Sequence, residues 1–238
     1  MTYWELHIEG QVQGVGFRPL VYRIARELGL RGTVSNGPDG VRIRFGGTRE
    51  LAESLQNHLY AYEPPAARMT GMQLREIAGS AYPDFRIVDS EMAGPATTLL
   101  TQDLGLCKDC RQELASDDRR RGYAFTTCTN CGPRYSIVNA LPYDRPRTEM
   151  ADFTMCPTCQ REYDTPDDRR YFSQTNSCPD CGIQLSIPGD NQARTQDAIL
   201  RYTASRWQAG DIVAIKGIGG YLLTCDAGNA DTIARLRE

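Results

Sequence analysis

The chain has 238 residues, a net charge of −3, 40% hydrophobic and 24% charged residues, the mixture of ordinary globular domains. That charge offers no global attraction to nucleic acid or to a membrane surface. No apolar run approaches the roughly 20 residues of a spanning helix, and the opening MTYWELHIEG carries Glu5 and no apolar signal core, so neither a membrane span nor a secretion signal is expected.

In YWELHIE, Trp4, Leu6 and Ile8 alternate with polar residues, the period of a half-buried strand. A glycine loop, VQGVGFR, follows. RPLVYRIARELGLRG then sets Leu20, Val21, Ile24, Ala25 and Leu28 on one helical stripe, with Pro19 in the first turn and Gly29 as the stop. TVS and VRIRF predict two strands around NGPDG, a dense turn signal that includes Asn36. TRELAESLQNHL predicts a second helix with Leu51, Leu55 and Leu59 stacked, and MQLREI and DFRIVD two closing strands. The order βαββαβ, with an extra edge strand, is that of a ferredoxin-like sandwich of the α+β class. His7 falls on the polar side of the first strand and His58 near a helix end, and neither has a recognisable partner in the sequence.

Residues 90–106 are expected to form a linker. Beyond it lie eight of the nine cysteines, in four Cys-x-x-Cys pairs: Cys107/Cys110, Cys128/Cys131, Cys156/Cys159 and Cys178/Cys181. Without a secretion signal such pairs point to metal rather than to disulfides. The segment repeats itself: CKDCRQELASDDRRRGYAFTTCTNCG aligns with CPTCQREYDTPDDRRYFSQTNSCPDCG after one insertion, at a period of 49 residues (156 − 107). Both units carry a Glu three residues after the second Cys (Glu113, Glu162) and an Asp-Asp-Arg-Arg run ahead of the second pair. Because each copy can close its own tetrahedral site, two sequential Cys₄ zinc sites are expected, Cys107, Cys110, Cys128 and Cys131, then Cys156, Cys159, Cys178 and Cys181; cross-bracing is the rival. Closed Cys₄ sites are structural. The acidic neighbours of the Arg-Arg runs favour solvated or internally paired loops over contacts to nucleic acid.

A second linker is expected over residues 182–192, then a helix in TQDAILRYTASRWQAG, an apolar strand running into a glycine turn in DIVAIKGIGGYLLTCDAG, and a further helix in NADTIARLRE. Helix–strand–helix is too little to bury a core, so the expectation is a third domain that this chain opens without completing. Cys225, alone there, is expected to be a small buried residue.

VQGVGFR lacks the Gly-Lys-Ser/Thr of a nucleotide phosphate loop and the third glycine of a dinucleotide fingerprint. It leaves a strand, a short loop (Gln13, Gly14, Val15, Gly16, Phe17) and a helix beginning at about Arg18. Free N–H groups at a helix start and a guanidinium fork make an anion site, although a structural Arg–carboxylate pair satisfies the same pattern.

GQVQGVGFR followed by GLRGTVSNGPDGVRIRF resembles the acylphosphatase family. The resemblance implies that Arg18 binds the phosphate of an acyl phosphate and that Asn36 positions the attacking water, roles that residue type alone would not give an Asn beside a Gly. CTNCGPRYSI, the duplicated Cys-x-x-Cys units and AIKGIGGYLLTCDA, in that order, resemble the HypF family of carbamoyltransferases. This implies an acylphosphatase-like domain over residues 1–91, a two-zinc finger region over 105–185 and the start of an α/β YrdC-like nucleotide-binding domain over 195–238. It further implies carbamoyl phosphate and ATP as substrates of the complete protein, a HypE-type maturation partner, and a nucleotide or carbamate contact at Lys216; the net charge and hydropathy lead to the expectation of no nucleic-acid or membrane partner, and the cysteine pairs without a secretion signal to that of a cytoplasmic location. By the same resemblance, Phe172 and Leu222 are departures from a His common in the family, and Ile183 from a Pro. A zinc-scaffolded module that binds an anion without turnover is the alternative reading, and a zinc-ribbon nucleic-acid binder a third, opposed by the acidic charge.

Overall fold

The computed structural model describes residues 2–116, 119–190 and 195–238. β1 (Thr2–Gln11), α1 (Phe17–Glu27), β2 (Arg31–Gly37), β3 (Gly40–Gly47), α2 (Arg49–Ala61), β4 (Arg68–Ile77) and β5 (Phe85–Ile87) follow in chain order. The sheet order is β4-β1-β3-β2-β5; the first four strands pair antiparallel and β5 adds parallel to β2. This is the ferredoxin-like sandwich with the extra edge strand that the sequence predicts.

Alternation in β1 decides which face is buried. Leu6 and Ile8 are wholly buried with Val34, Val41, Ile43 and Phe45, and onto that face pack Leu20, Val21, Ile24 and Ala25 of α1 and Ala52, Leu55 and Leu59 of α2. On the opposite face Glu5 sits opposite Arg44 of β3 and Arg75 of β4, and bonds to both guanidinium groups at 2.7 and 2.5 Å. Cross-strand charge pairs of this kind fix register. His7 has a neighbour that the sequence did not reveal: its Nε2 lies 3.5 Å from Asp39 of the β2–β3 turn. His58 turns its Nδ1 onto the Ser54 carbonyl at 2.7 Å within α2.

The strands run further than TVS and VRIRF. Asn36 belongs to β2 and pairs with Val41, so the turn is reduced to Pro38 and Asp39 between Gly37 and Gly40. Gly40 has a φ of 144°, and a Cβ there would stand 2.1 Å from the Ile8 carbonyl oxygen, so only glycine lets β3 start so close to β1.

Residues 90–106 are docked rather than free. Glu91 N–H donates to the Asn36 carbonyl (2.8 Å), Thr97 N–H to Pro38 (2.9 Å), and Thr101 Oγ1 to the Gln13 carbonyl (2.8 Å). The first cysteine unit contains α3 (Lys108–Ala115) and the second α4 (Pro157–Asp164), with Cys107 and Cys156 at the helix starts. Short 3₁₀ turns at Tyr135–Ile137, Arg145–Arg147 and Glu149–Asp152 connect them.

From α5 (Gln196–Gln208) the chain enters an antiparallel hairpin, β6 (Val213–Lys216) and β7 (Tyr221–Thr224), then α6 (Ala230–Arg237). The second strand of that hairpin was not anticipated; Gly217–Gly220 is its turn. Lys216 ends β6 opposite Tyr221 and is exposed, and Cys225 is half-buried rather than buried. Among the described residues no helix is long and apolar enough to cross a membrane. Residues 191 and 192 of the second linker and Asp117 and Asp118 of the first Asp-Asp-Arg-Arg run lie outside the described residues.

Candidate active site and metal centres

The loop between β1 and α1 is built to present backbone. Gly14 and Gly16 adopt φ of 72° and 76°, the left-handed region that favours glycine, and Gly16 is the N-cap of α1. Val15 and Phe17 point into the sandwich core, at 0% and 1% exposure, and anchor the loop from beneath. The first N–H groups of α1 have no partner within the helix and carry the positive end of its dipole. Arg18, in the first turn, stands beside them.

The Gln13 side chain braces the loop. Its amide nitrogen donates to the carbonyls of Gly37 (2.6 Å) and Gly40 (2.9 Å), and its amide oxygen accepts from Tyr143 N–H (2.8 Å). Its amide is thereby engaged at both ends, so the Gln13 side chain ties the loop to the β2–β3 turn.

Arg18 and Asn36 come together. With its oxygen turned toward the guanidinium, the Asn36 amide accepts from Arg18 Nε and Nη2, each at 3.2 Å. They are 8% and 1% exposed, and with Gly14, Gly16, Tyr143 and Phe172 they line a cavity of about 20 Å³. The loop and α1 were expected here, and so was Asn36, although the sequence reading put it in a turn and not at the end of β2.

A fourth element was not expected. Residues 141–147, between the two cysteine units, close over the loop. Asp144 Oδ1 lies 2.9 Å from Arg18 Nη2, and Arg18 Nη2 also faces the Tyr143 carbonyl at 3.4 Å. Arg134, just after the fourth cysteine, donates from Nε to the Gly14 carbonyl and from Nη2 to those of Cys128 (3.0 Å) and Thr129 (3.1 Å), which ties loop to finger. Phe172 packs its ring 5.8 Å from the Arg18 guanidinium. Its φ of 54° is unfavourable for an aromatic residue and is held by Phe172 N–H on the Tyr163 carbonyl and Gln174 Nε2 on its own carbonyl. No periodicity marks these residues. The one hint was the length of the Cys131–Cys156 gap, longer than closing either site requires.

The eight cysteines form two groups, Cys107, Cys110, Cys128 and Cys131, and Cys156, Cys159, Cys178 and Cys181, each with its sulfurs within 4.8 Å of one another. This is the sequential arrangement, not the cross-braced one. Sulfur–sulfur separations of 3.7 and 3.9 Å in the first group and 3.6 to 3.8 Å in the second match the ~3.8 Å edge of a tetrahedron with Zn–S bonds of about 2.3 Å. The donor chemistry and spacing therefore fit zinc.

The two Arg-Arg runs serve these centres crosswise. Arg119 and Arg120 of the first unit bond to Glu162 of the second, at 2.8 and 2.5 Å, and Arg119 donates to the Cys159 sulfur at 3.4 Å. Arg169 of the second unit bonds to Glu113 of the first at 2.5 Å and to the Cys110 sulfur at 3.2 Å, and Arg170 chelates Glu113. A zinc held by four thiolates has a net double negative charge; each unit supplies the cations that neutralise the other's. Burial alone would raise the Glu162 carboxyl, but the hydrogen bonds from Arg120 and Arg119 outweigh it and hold it at about 2.

Comparison with known proteins follows the same division. Residues 4–87 match the acylphosphatase family, and residues 106–138 and 155–187 the HypF finger. The carbamoyltransferase HypF of Rhodobacter capsulatus is 46% identical over 239 residues, covering 100% of this chain and 32% of that protein. An acylphosphatase of Archaeoglobus fulgidus is 38% identical over 89 residues, covering 37% of this chain and 98% of that protein. The crystal structure of a full-length HypF in its phosphate- and nucleotide-bound form superposes with a TM-score of 0.92 at 40% identity, over 99% of this chain and 31% of that one. The chain thus spans about a third of the length of the HypF relatives it matches. With an acylphosphatase sandwich, a duplicated HypF finger and identity that extends from end to end, the chain is similar throughout to about a third of the length of the HypF carbamoyltransferases, and its residues 4–87 belong to the acylphosphatase family.

Proposed function

We propose that the chain hydrolyses carbamoyl phosphate to carbamate and phosphate at the Arg18–Asn36 site, and that this serves a HypF-type carbamoyl transfer. The observation that carries the reading is the meeting of Arg18 and Asn36, 3.2 Å apart near the start of α1, in the lining of a small cavity. The loop N–H groups, the helix start and the guanidinium fork together favour a phosphoryl group. Asn36 offers an amide to orient water beside it. The acyl phosphate is already activated, so positioning and charge stabilisation supply the acceleration.

In this reading residues 1–91 are the hydrolytic domain, 105–185 a scaffold with two structural zinc ions, and 195–238 part of a YrdC-like nucleotide domain in which Lys216 contacts nucleotide or carbamate. Carbamate would then be converted with ATP to carbamoyl adenylate, and the carbamoyl group passed to the C-terminal cysteine of a HypE-type partner in nickel–iron hydrogenase maturation, in the cytoplasm.

The test separates turnover from mere anion binding. The intact chain should release phosphate from carbamoyl phosphate, and Asn36→Ala should lower kcat by roughly 100-fold while inorganic phosphate still binds. Tight phosphate binding by the unaltered chain with no hydrolysis of carbamoyl or acetyl phosphate would select the anion-binding module instead.

A further inference from the structure

The phosphate cradle already holds an anion of the protein's own. Asp144 Oδ1 is 2.9 Å from Arg18 Nη2, with the two side chains 18% and 9% exposed. A phosphoryl group gripped at two points through Nη2 would meet that carboxylate on the same nitrogen. The free volume beside it, about 20 Å³, is little more than one water requires. Carboxylate and phosphoryl group therefore compete for Arg18 Nη2 in this arrangement.

Asp144 has somewhere else to go. Its other oxygen, Oδ2, lies 3.2 Å from Arg147 Nη1, three residues on and closer to solvent at 28% exposure. The carboxylate therefore stands between two cations, one in the cradle and one outside. Its backbone is also held by groups other than the two guanidinium ions: the neighbouring Tyr143 N–H bonds to Gln13 at 2.8 Å, and Arg145 Nη1 to the carbonyls of Gln174 (2.8 Å) and Asn176 (2.9 Å). A change of partner needs only the Asp144 side chain to turn.

We propose that Asp144 is a tethered competitor for the phosphate site, which sits on Arg18 when the site is free of phosphate, moves to Arg147 when a phosphoryl group binds, and by returning weakens the hold on the phosphate product. The proposal rests on reading Arg18 as the phosphate ligand. It makes the finger region, which carries Asp144, part of the binding equilibrium and not only a scaffold.

Titration calorimetry with inorganic phosphate on the intact chain, at fixed ionic strength, tests it. Asp144→Asn keeps the shape and removes the charge; phosphate should bind about tenfold tighter, the scale of one partly buried competing charge. Arg147→Met removes the alternative partner, and binding should weaken severalfold. Opposite signs from two neighbouring positions are not expected of general damage, and Asp144→Ser replaces Asp144→Asn if that variant loses its metal content or its far-ultraviolet circular dichroism. Unchanged or weaker phosphate binding in the Asp144 variants would overturn the proposal, the weaker case making Asp144 a positioning residue for Arg18. An unchanged affinity in Arg18→Ala would instead overturn the underlying reading of the site.

Discussion

Arg120 shows how far a residue's role can lie from its place in the chain. It belongs to the first cysteine unit, yet at 2% exposure it is buried against Glu162, Asn176 and the Ser177 carbonyl of the second. Outer contacts of this sort typically change metal affinity 10- to 100-fold. Arg120→Met should therefore speed chelator-driven zinc release from the Cys156–Cys181 site and leave the Cys107–Cys131 site less affected; Cys178→Ser identifies which phase is which. Loss confined to the first site would contradict the crosswise assignment. The sequence disclosed the repeated Asp-Asp-Arg-Arg runs and the repeated Glu, but not that the pairs exchange, because both paired and solvated loops satisfy one linear pattern. Arg18 was legible for the opposite reason: a loop, a helix start and a guanidinium adjacent in sequence are adjacent in space. Asn36 was legible only through its likeness to acylphosphatases, since beside a glycine it has the signature of a turn.

Elements with strict periodicity were the easiest to read. The alternation of Trp4, Leu6 and Ile8 and the stripe from Leu20 to Ala25 specify buried faces, and those faces form the core. The ends of β2 and β3 were harder, because NGPDG carries turn residues that also tolerate strand pairing, and two more residue pairs, Asn36–Val41 and Gly37–Gly40, extend the ladder. The polar face of β1 makes a testable statement about acid. Burial raises the Glu5 carboxyl, but hydrogen bonds from Arg44 and Arg75 dominate and leave it below its ordinary value of 4.5. A carboxyl lowered on folding stabilises the fold above that ordinary value and loses its contribution as the pH falls further through its folded value. Urea unfolding of the sandwich should thus weaken between pH 6 and pH 3 less steeply in Glu5→Gln than in the unaltered chain. Equal slopes would remove Glu5 from the acid response.

Across the whole molecule, the phosphate site is composite. The sandwich supplies the loop, Arg18 and Asn36; residues 90–106 brace the loop at Gln13; the finger region supplies Arg134, Asp144 and Phe172 above it. Apart from the long Cys131–Cys156 gap, nothing in the sequence signals that closure, because it depends on segments far apart in the chain meeting through side chains of no special pattern. The cysteine pairing was visible, because duplication lets each copy close on itself. Consequently metal removal should reach the phosphate site: stripping zinc with a chelator should alter phosphate affinity measurably, whereas an unchanged affinity would show the fingers to be bystanders. The most direct measurement concerns Arg18 itself. Phosphate release from carbamoyl phosphate by the intact chain should fall by roughly 100-fold or more in Arg18→Ala with its metal content preserved; equal rates in the two proteins would contradict the account.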